Sequence, residues 1–378
     1  MTVVPPVPPR YAAHPTKVIG SGLRIRAETA ILSTPLTSEQ PSRMQYRRLG
    51  HSGVQVSPLC LGTMMFGGPT PTEESIRIMH QAIDRGLNFF DTANIYSAGE
   101  SELVVGKALA DRREKVVLAT KGRGPMGTGP NESGAGRLHL RRALEASLCR
   151  LQTDHIDLYY IHTPDYGTPI EETLRALDDF VREGKVLYTA CSNFRAWRLM
   201  EALGVSQRLN LHRFQAVQPL YNICNRDIEV ELLPLCQEHG IGVVSYSPLA
   251  RGILSGKYRV GAAFPEGSRA ARGDKRMQQA ELRDASFELA EALQAHCRST
   301  GRVLSQFALA WCLANPIVTS VIIGPRTAEQ FADNLACLDL VWTAEDERAV
   351  DALVPPGEHT GKGFQDPAYP VLGRPAVR

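Results

Sequence analysis

The sequence predicts an α/β protein in which eight short parallel strands alternate with helices and close into a (β/α)8 TIM barrel, preceded by an N-terminal β-hairpin. Three observations carry this. The strands are short and nearly all apolar, as strands covered on both faces are. Amphipathic helical periods separate them in strict β-then-α order. Their number is eight, which argues for a closed barrel over an open doubly wound sheet, the runner-up fold.

Gln45–Leu49 and Val54–Ser57, joined by His51-Ser52-Gly53, read as the hairpin. Pro58–Thr63 is the first barrel strand. Helix Thr72–Arg85 then precedes strand Leu87–Phe90, and helix Glu100–Ala110 precedes strand Val116–Thr120. Helix Leu138–Leu151 leads to strand Ile156–Ile161, and helix Ile170–Glu183 to strand Val186–Cys191. Helix Ala196–Leu203 is followed by strand Phe214–Val217, and helix Asp227–His239 by strand Ile241–Ser245. A long loop and two helices, near 278–298 and 303–314, lead to strand Val318–Ile323 and helix Ala328–Leu338.

Composition narrows the partners. The chain has 378 residues, 43% of them hydrophobic and 22% charged, which is ample for a globular core. A net charge of +2 implies no nucleic acid or other polyanion. No run approaches the roughly 18 apolar residues that cross a bilayer, so no membrane is implied. The eight cysteines form no CxxC pair and mostly sit in apolar elements, the usage of a reduced, cytoplasmic protein without zinc or disulfides. The histidines show no metal-ligand spacing. Residues 1–43 begin proline-rich and show no period, and are expected to be a disordered extension before one domain over 44–378.

In a barrel the working residues lie at the carboxyl ends of the strands. Strand two ends in Asp91, with Tyr96 just beyond, strand three in Lys121 and strand four in His162. Singly, each has a bland reading as a cap, a solvated cation or a core hydrogen-bonder. Together they place four ionisable groups at one mouth. A tyrosine is a poor acid near neutrality unless a cation steadies its anion, and a buried lysine needs a carboxylate to stay charged. Asp91 can hold Lys121, Lys121 can polarise Tyr96, and His162 can orient a carbonyl oxygen. The set suits protonating that oxygen while hydride reaches its carbon.

With Gly86-Leu-Asn-Phe-Phe-Asp-Thr-Ala-Asn-Ile-Tyr96, Leu151-Gln-Thr-Asp-His-Ile-Asp-Leu-Tyr-Tyr-Ile-His162, Cys191-Ser-Asn-Phe194 and Ile322-Ile-Gly-Pro-Arg326, the chain resembles the aldo-keto reductases over nearly all of 44–378. The resemblance implies NAD(P)H-dependent reduction of small aldehydes or ketones, with Tyr96 as general acid and Asp91, Lys121 and His162 tuning or orienting it. It further implies that Ser192, Asn193 and Gln218 hold the nicotinamide carboxamide and that Tyr246 stacks on its ring. Ser247, Pro248, Leu249 and Arg251 then lie over the pyrophosphate, with Lys257 nearby. Gly324, Arg326, Gln330 and Asn334 match the adenosine end, and Thr63 and Met64 line the same cleft. A guanidinium at 326 suits a 2′-phosphate, so NADPH is expected over NADH.

Met64, Met65, Phe66 and Arg123 are candidates to shape the substrate pocket. Gly136 stands where a serine cap is usual in such relatives, which leaves the start of the next helix without a side-chain cap. Gly122-Arg-Gly-Pro-Met-Gly127 fits a GxGxxG fingerprint, but Pro125 and the glycines that follow make it a loop and not a helix start. Two other readings stay open. The β-subunits of voltage-gated potassium channels resemble the same family, so the chain could be an NADPH-binding regulatory subunit with little turnover. A barrel aldolase or isomerase would use Lys121 as a Schiff base. The sequence sets neither the direction of flux nor an oligomeric state.

Overall fold

A computed structural model describes residues 44–360; the expectations for residues 1–43 and for the tail after 360 lie outside the described residues. The hairpin pairs β1 (Arg47–Arg48) with β2 (Gln55–Val56). Eight parallel strands form a closed barrel: β3 (Leu59–Gly62), β4 (Phe89–Asp91), β5 (Val117–Gly122), β6 (Ile156–Ile161), β7 (Val186–Ser192), β8 (Phe214–Gln218), β9 (Gly242–Ser245) and β10 (Val318–Ile323). Each pairs with the next, and β10 closes on β3 through Val321↔Leu59 and Ile323↔Leu61. The barrel expected from the alternation is therefore present, and the open sheet is not.

Two cores explain why the strands are apolar on both faces. Inside the barrel, Cys60, Phe89, Ala119, Leu158, Tyr160, Ala190, Ala216 and Val244 pack together, and Leu49 and Val56 of the hairpin close the cluster from below. The hairpin is fixed there by His51, whose backbone N–H donates to Gly240 O at 2.9 Å just before β9. The outward strand residues pack on the helices α1 (Thr72–Asp84), α2 (Glu100–Leu109), α3 (Arg137–Leu151), α4 (Ile170–Arg182), α5 (Ala196–Leu209) and α6 (Leu232–His239). Beyond β9 come α7 (Lys275–Ala280), α8 (Asp284–Ser299) and α9 (Leu304–Ala314), and beyond β10 come α10 (Ala328–Leu335) and α11 (Ala344–Leu353).

Several boundaries differ from the sequence reading. The helix expected over Asp227–His239 is a 3-10 turn, Asp227–Glu229, followed by α6 from Leu232. Pro234 lacks an N–H and fits only the first helical turn, so the helix starts just before it. In the other direction, α5 runs on through Gly204 to Leu209 and ends where Asn210 turns left-handed at φ 51°. The helix near 278–298 is two: Asp274 caps α7, its carboxylate accepting from Met277 N, and the chain breaks before α8. Helix α11 was not anticipated. Its signal is the reciprocal cap in which Thr343 and Asp346 satisfy each other's backbone N–H groups.

The uncapped start of α3 is real, and a neighbour fills it. Gly136 makes no side-chain cap, but Glu172 of α4 accepts from Arg137 N at 3.0 Å. Next to it, Ala135 N donates to Asp165 Oδ2 at 2.8 Å and Thr173 Oγ1 donates to Ala135 O at 2.9 Å. The Gly122–Gly127 stretch leads into turns and no helix begins on it.

Helices α2 and α3 approach closely at Gly106, where an added Cβ would fall 2.7 Å from Arg150 O and 2.8 Å from Leu151 O. Both obstacles are backbone, so neither can rotate aside. Ala is the better helix former by about 1 kcal/mol, yet overpacking costs about 1–3 kcal/mol. Gly106→Ala is therefore expected to lower stability in denaturant unfolding; a gain would show that the two helices separate freely.

Candidate active site

The register of the barrel sets the first three groups side by side. Asp91 ends β4 and pairs with Ala119 of β5, which puts Lys121 one pleat further up the same strand. Both side chains are fully enclosed, at 1% and 0% exposure. Lys121 Nζ donates to Asp91 Oδ1 at 2.5 Å, to Thr92 O at 2.8 Å and to Tyr96 Oη at 3.1 Å. Its three protons are thus all used. The other Asp91 oxygen accepts from Gln218 Nε2 at 2.8 Å, across the barrel from β8.

These bonds decide the charge states. Burial pushes Lys121 down, but Asp91 and Tyr96 push it up by more, so its net shift is upward and it stays an ammonium. A charged amine with every proton committed is not the free nucleophile that a Schiff base requires. For Tyr96 the sequence reading foresaw a lowered pKa. Lys121 does lower it, but burial raises it by more, and Asp91 adds to the rise. The phenol therefore remains protonated near neutrality and keeps a proton to give.

Tyr96 opens a tight 3-10 turn, Tyr96–Gly99, in which Ser97 and Ala98 sit at φ 47° and 55°. Non-glycine residues seldom hold such angles unless the surroundings impose them. The turn aims the Tyr96 ring edge-on at His162, with centroids 5.8 Å apart and planes at 81°. His162 follows β6, and its N–H donates to Gly122 O at 3.0 Å. Burial, with Lys121 and then Arg123 adding, holds its imidazole down at about 3, so the ring is neutral. Its Nδ1 is enclosed with no protein partner.

The residues matched to the carboxamide lie in one chain of bonds. Ser192 Oγ donates to Gln218 O at 2.8 Å, and Asn193 Nδ2 reaches Ser192 Oγ at 3.0 Å and His162 O at 2.9 Å. Tyr246 Oη donates to Asn193 Oδ1 at 2.7 Å. Ser192, Asn193 and Gln218 therefore also position Asp91 and His162, which the sequence reading did not foresee. Thr63 is fully buried, its hydroxyl 2.8 Å from Ser101 Oγ, whereas Met64 is 39% exposed at the rim.

The stretch after β9 is unusually strained. Ser247, Ala250 and Arg251 hold φ of 56°, 44° and 54°, followed by Gly252 at 104°. Asn222 Nδ2 steadies the turn by donating to Ser247 O at 3.0 Å. Two amides are spent inside the turn, Ala250 N donating to Ser247 O at 2.9 Å and Gly252 N to Leu249 O at 2.8 Å. Pro248 is buried in this turn and Leu249 half-buried.

Around it stand Arg251, Lys257 and Arg326, with two cations that the sequence reading missed, Arg269 and Arg272. Burial lowers Lys257, and Arg326, Arg269 and Arg272 lower it further; Arg269 feels Arg251, Arg272 and Arg326 in turn. Asp274, 3.4 Å from Arg269, opposes part of this charge. The signal for the missed pair was the density of arginine in the loop after strand seven. Arg269 also reaches Met65 Sδ at 3.7 Å, so this loop touches one of the residues expected to shape the substrate pocket. At the far end Gln330 Oε1 accepts from Arg326 N at 2.9 Å, Asn334 is buried, and Gly324 faces open space.

Fold and site together describe a parallel barrel with a Tyr–Lys–Asp chain, a neutral histidine and a group of cations in the loops beyond its strands. The chain belongs to the aldo/keto reductase family, whose model matches residues 58–355, and it is an oxidoreductase of that family. It is 40% identical over 333 residues to YrpG of Bacillus subtilis, described as an uncharacterized oxidoreductase, covering 85% of this chain and 99% of that one. It is also 38% identical over 306 residues to a probable voltage-gated potassium channel subunit beta of Arabidopsis thaliana, covering 79% of this chain and 92% of that one. A protein of the same description from Oryza sativa is 37% identical over 321 residues, covering 82% and 97%. Among the described residues no helix is long and apolar enough to cross a membrane.

A histidine held neutral by its surroundings has a visible signature. The unfolded chain takes up a proton near pH 6.5, the folded ring only near 3, so His162 withdraws stability as pH falls through that window. Its ring resonances are expected to stay those of neutral imidazole down to about pH 4. A midpoint near 6.5 would mean the ring is open to water.

Proposed function

We propose that this chain is an NADPH-dependent reductase of small aldehydes and ketones, with Tyr96 as the general acid. The observation that carries the reading is the hydrogen-bonded run from Asp91 through Lys121 to Tyr96, beside a neutral His162. When bound, the dihydronicotinamide supplies a hydride to the carbonyl carbon. Tyr96 gives its proton to the carbonyl oxygen, so one hydride and one proton convert the carbonyl to an alcohol. Lys121 lies against the oxygen that turns anionic as the proton leaves, a fixed positive charge of the kind that lowers such barriers. His162, neutral and so keeping a single ring N–H, orients the carbonyl by donating that N–H to its oxygen.

The residues present fit the cofactor. Arg251 Nε is buried with no protein partner, as a group awaiting an anion is. The five cations around the turn after β9 suit a pyrophosphate and a third phosphate, which favours NADPH over NADH. The eight free thiols favour a reducing compartment such as the cytoplasm. A second reading draws on the identity to proteins described as channel β-subunits, namely that this chain retains NADPH and serves mainly as a regulatory subunit.

The deciding experiment follows NADPH consumption over a panel of small aldehydes. Tyr96→Phe is expected to lower turnover about 10²–10⁴-fold while cofactor binding, read by fluorescence, persists. A wild type that binds NADPH, reduces nothing and co-purifies with a stoichiometric partner would favour the regulatory subunit.

A further inference from the structure

The residue after Lys121 and Gly122 is an arginine in a place built for glycine. Arg123 holds φ 95°, where side chains are strained. Its neighbours fix it there. A Cβ on Gly122 would lie 2.1 Å from Tyr159 Oη, and one on Gly124 would lie 2.5 Å from Cγ2 of Ile95, the residue before Tyr96. Gly122 O accepts from His162 N at 3.0 Å, and Arg123 O accepts from Gly134 N at 2.9 Å. The backbone carrying Arg123 is thus clamped between the proposed acid and the proposed carbonyl-orienting histidine.

The guanidinium itself makes no hydrogen bond or ion pair with the described residues, and its Nε is buried without a partner. Its charge nonetheless acts on both His162 and Asp165, and its backbone is tied to His162 through Gly122 O. Asp165 is no partner for it, since that carboxylate already accepts from Ala135 N at 2.8 Å, Gly167 N at 2.9 Å and Thr168 Oγ1 at 2.8 Å. A half-buried guanidinium whose Nε is enclosed and unused matches a carboxylate, which it can hold by two parallel bonds. Ile95, 36% exposed and packed against Gly124, offers apolar surface for a short carbon spacer.

We propose that Arg123 binds a carboxylate carried by the substrate, so that short oxo acids are preferred over neutral carbonyl compounds of the same length. The proposal rests on the reductase reading. It asks that Arg123 be spent on specificity and not on stability, which explains why strain persists at a position where glycine would relieve it.

The test compares 4-oxobutanoate with butanal in wild type, Arg123→Gln and Arg123→Lys, with NADPH throughout. The wild type is expected to favour the oxo acid. The Gln variant should raise its KM roughly ten- to hundredfold, as loss of a charged hydrogen-bond partner does, and lower the oxo-acid-to-butanal ratio of kcat/KM by the same factor. Lys, a point charge without the fork, should fall between. A parallel loss on both substrates, or a wild type indifferent to the carboxylate, would overturn the proposal while leaving the reductase reading intact. Should neither compound turn over, the reductase reading fails, and calorimetry with butanoate on the NADPH-loaded protein decides the anion site. Binding that disappears in Arg123→Gln supports it, and no binding by the wild type overturns it.

Discussion

A lysine ammonium buried at 0% exposure would be expelled from an apolar interior unless its charge were met at once. In this protein Asp91 meets it at 2.5 Å, and much of the upper barrel follows from that requirement. The two residues come from adjacent parallel strands, so the pair exists only if β4 and β5 keep their register. Asp91 in turn needs its second oxygen satisfied, which brings Gln218 across from β8. Ser192 and Asn193 of β7 and its loop tie Gln218 to His162. One buried charge thus organises five successive barrel strands, and breaking such a pair by removing one partner typically costs about 3–5 kcal/mol.

Strain is spent around the same mouth. Ser97, Ala98, Arg123, Asn193, Ser247, Ala250 and Arg251 all hold positive φ without being glycine, and every one lies just beyond a barrel strand at its carboxyl end. The other two such residues, Gln152 and Asn210, only end helices. The lower end of the barrel shows the opposite economy: short turns, a small hairpin and an apolar plug. Stability is concentrated below and conformational cost above, where backbone and side chains must face a ligand.

Much of this was legible in the sequence because barrel strands and covering helices announce themselves by different periods. Asp91, Lys121 and His162 could be read as a group because each stands where an apolar run stops. The less legible parts depend on contacts remote in sequence. The late start of α6 just before Pro234 was a local signal passed over, whereas the cap lent to α3 by Glu172 has no local sign at all. The balance at Tyr96, where burial exceeds the pull of Lys121, depends on enclosure that only the packed mouth supplies. Arg269 and Arg272 lie in a loop without period, and only folding brings them to Arg326.

The borrowed cap on α3 has a bearing on how such a molecule can change. The loop from Arg123 to Gly136 leaves the proposed substrate side and must deliver the chain to α3 at a fixed point. That exit is held by Asp165, Glu172 and Thr173, all supplied by the following β6–α4 unit and none by the loop itself. The middle of the loop, beyond the clamped backbone of Arg123 and Gly124, is thereby released from holding that exit. Its length and composition can drift under selection for new ligands while the frame on either side stays anchored, a separation of the variable from the invariant written into one helix start.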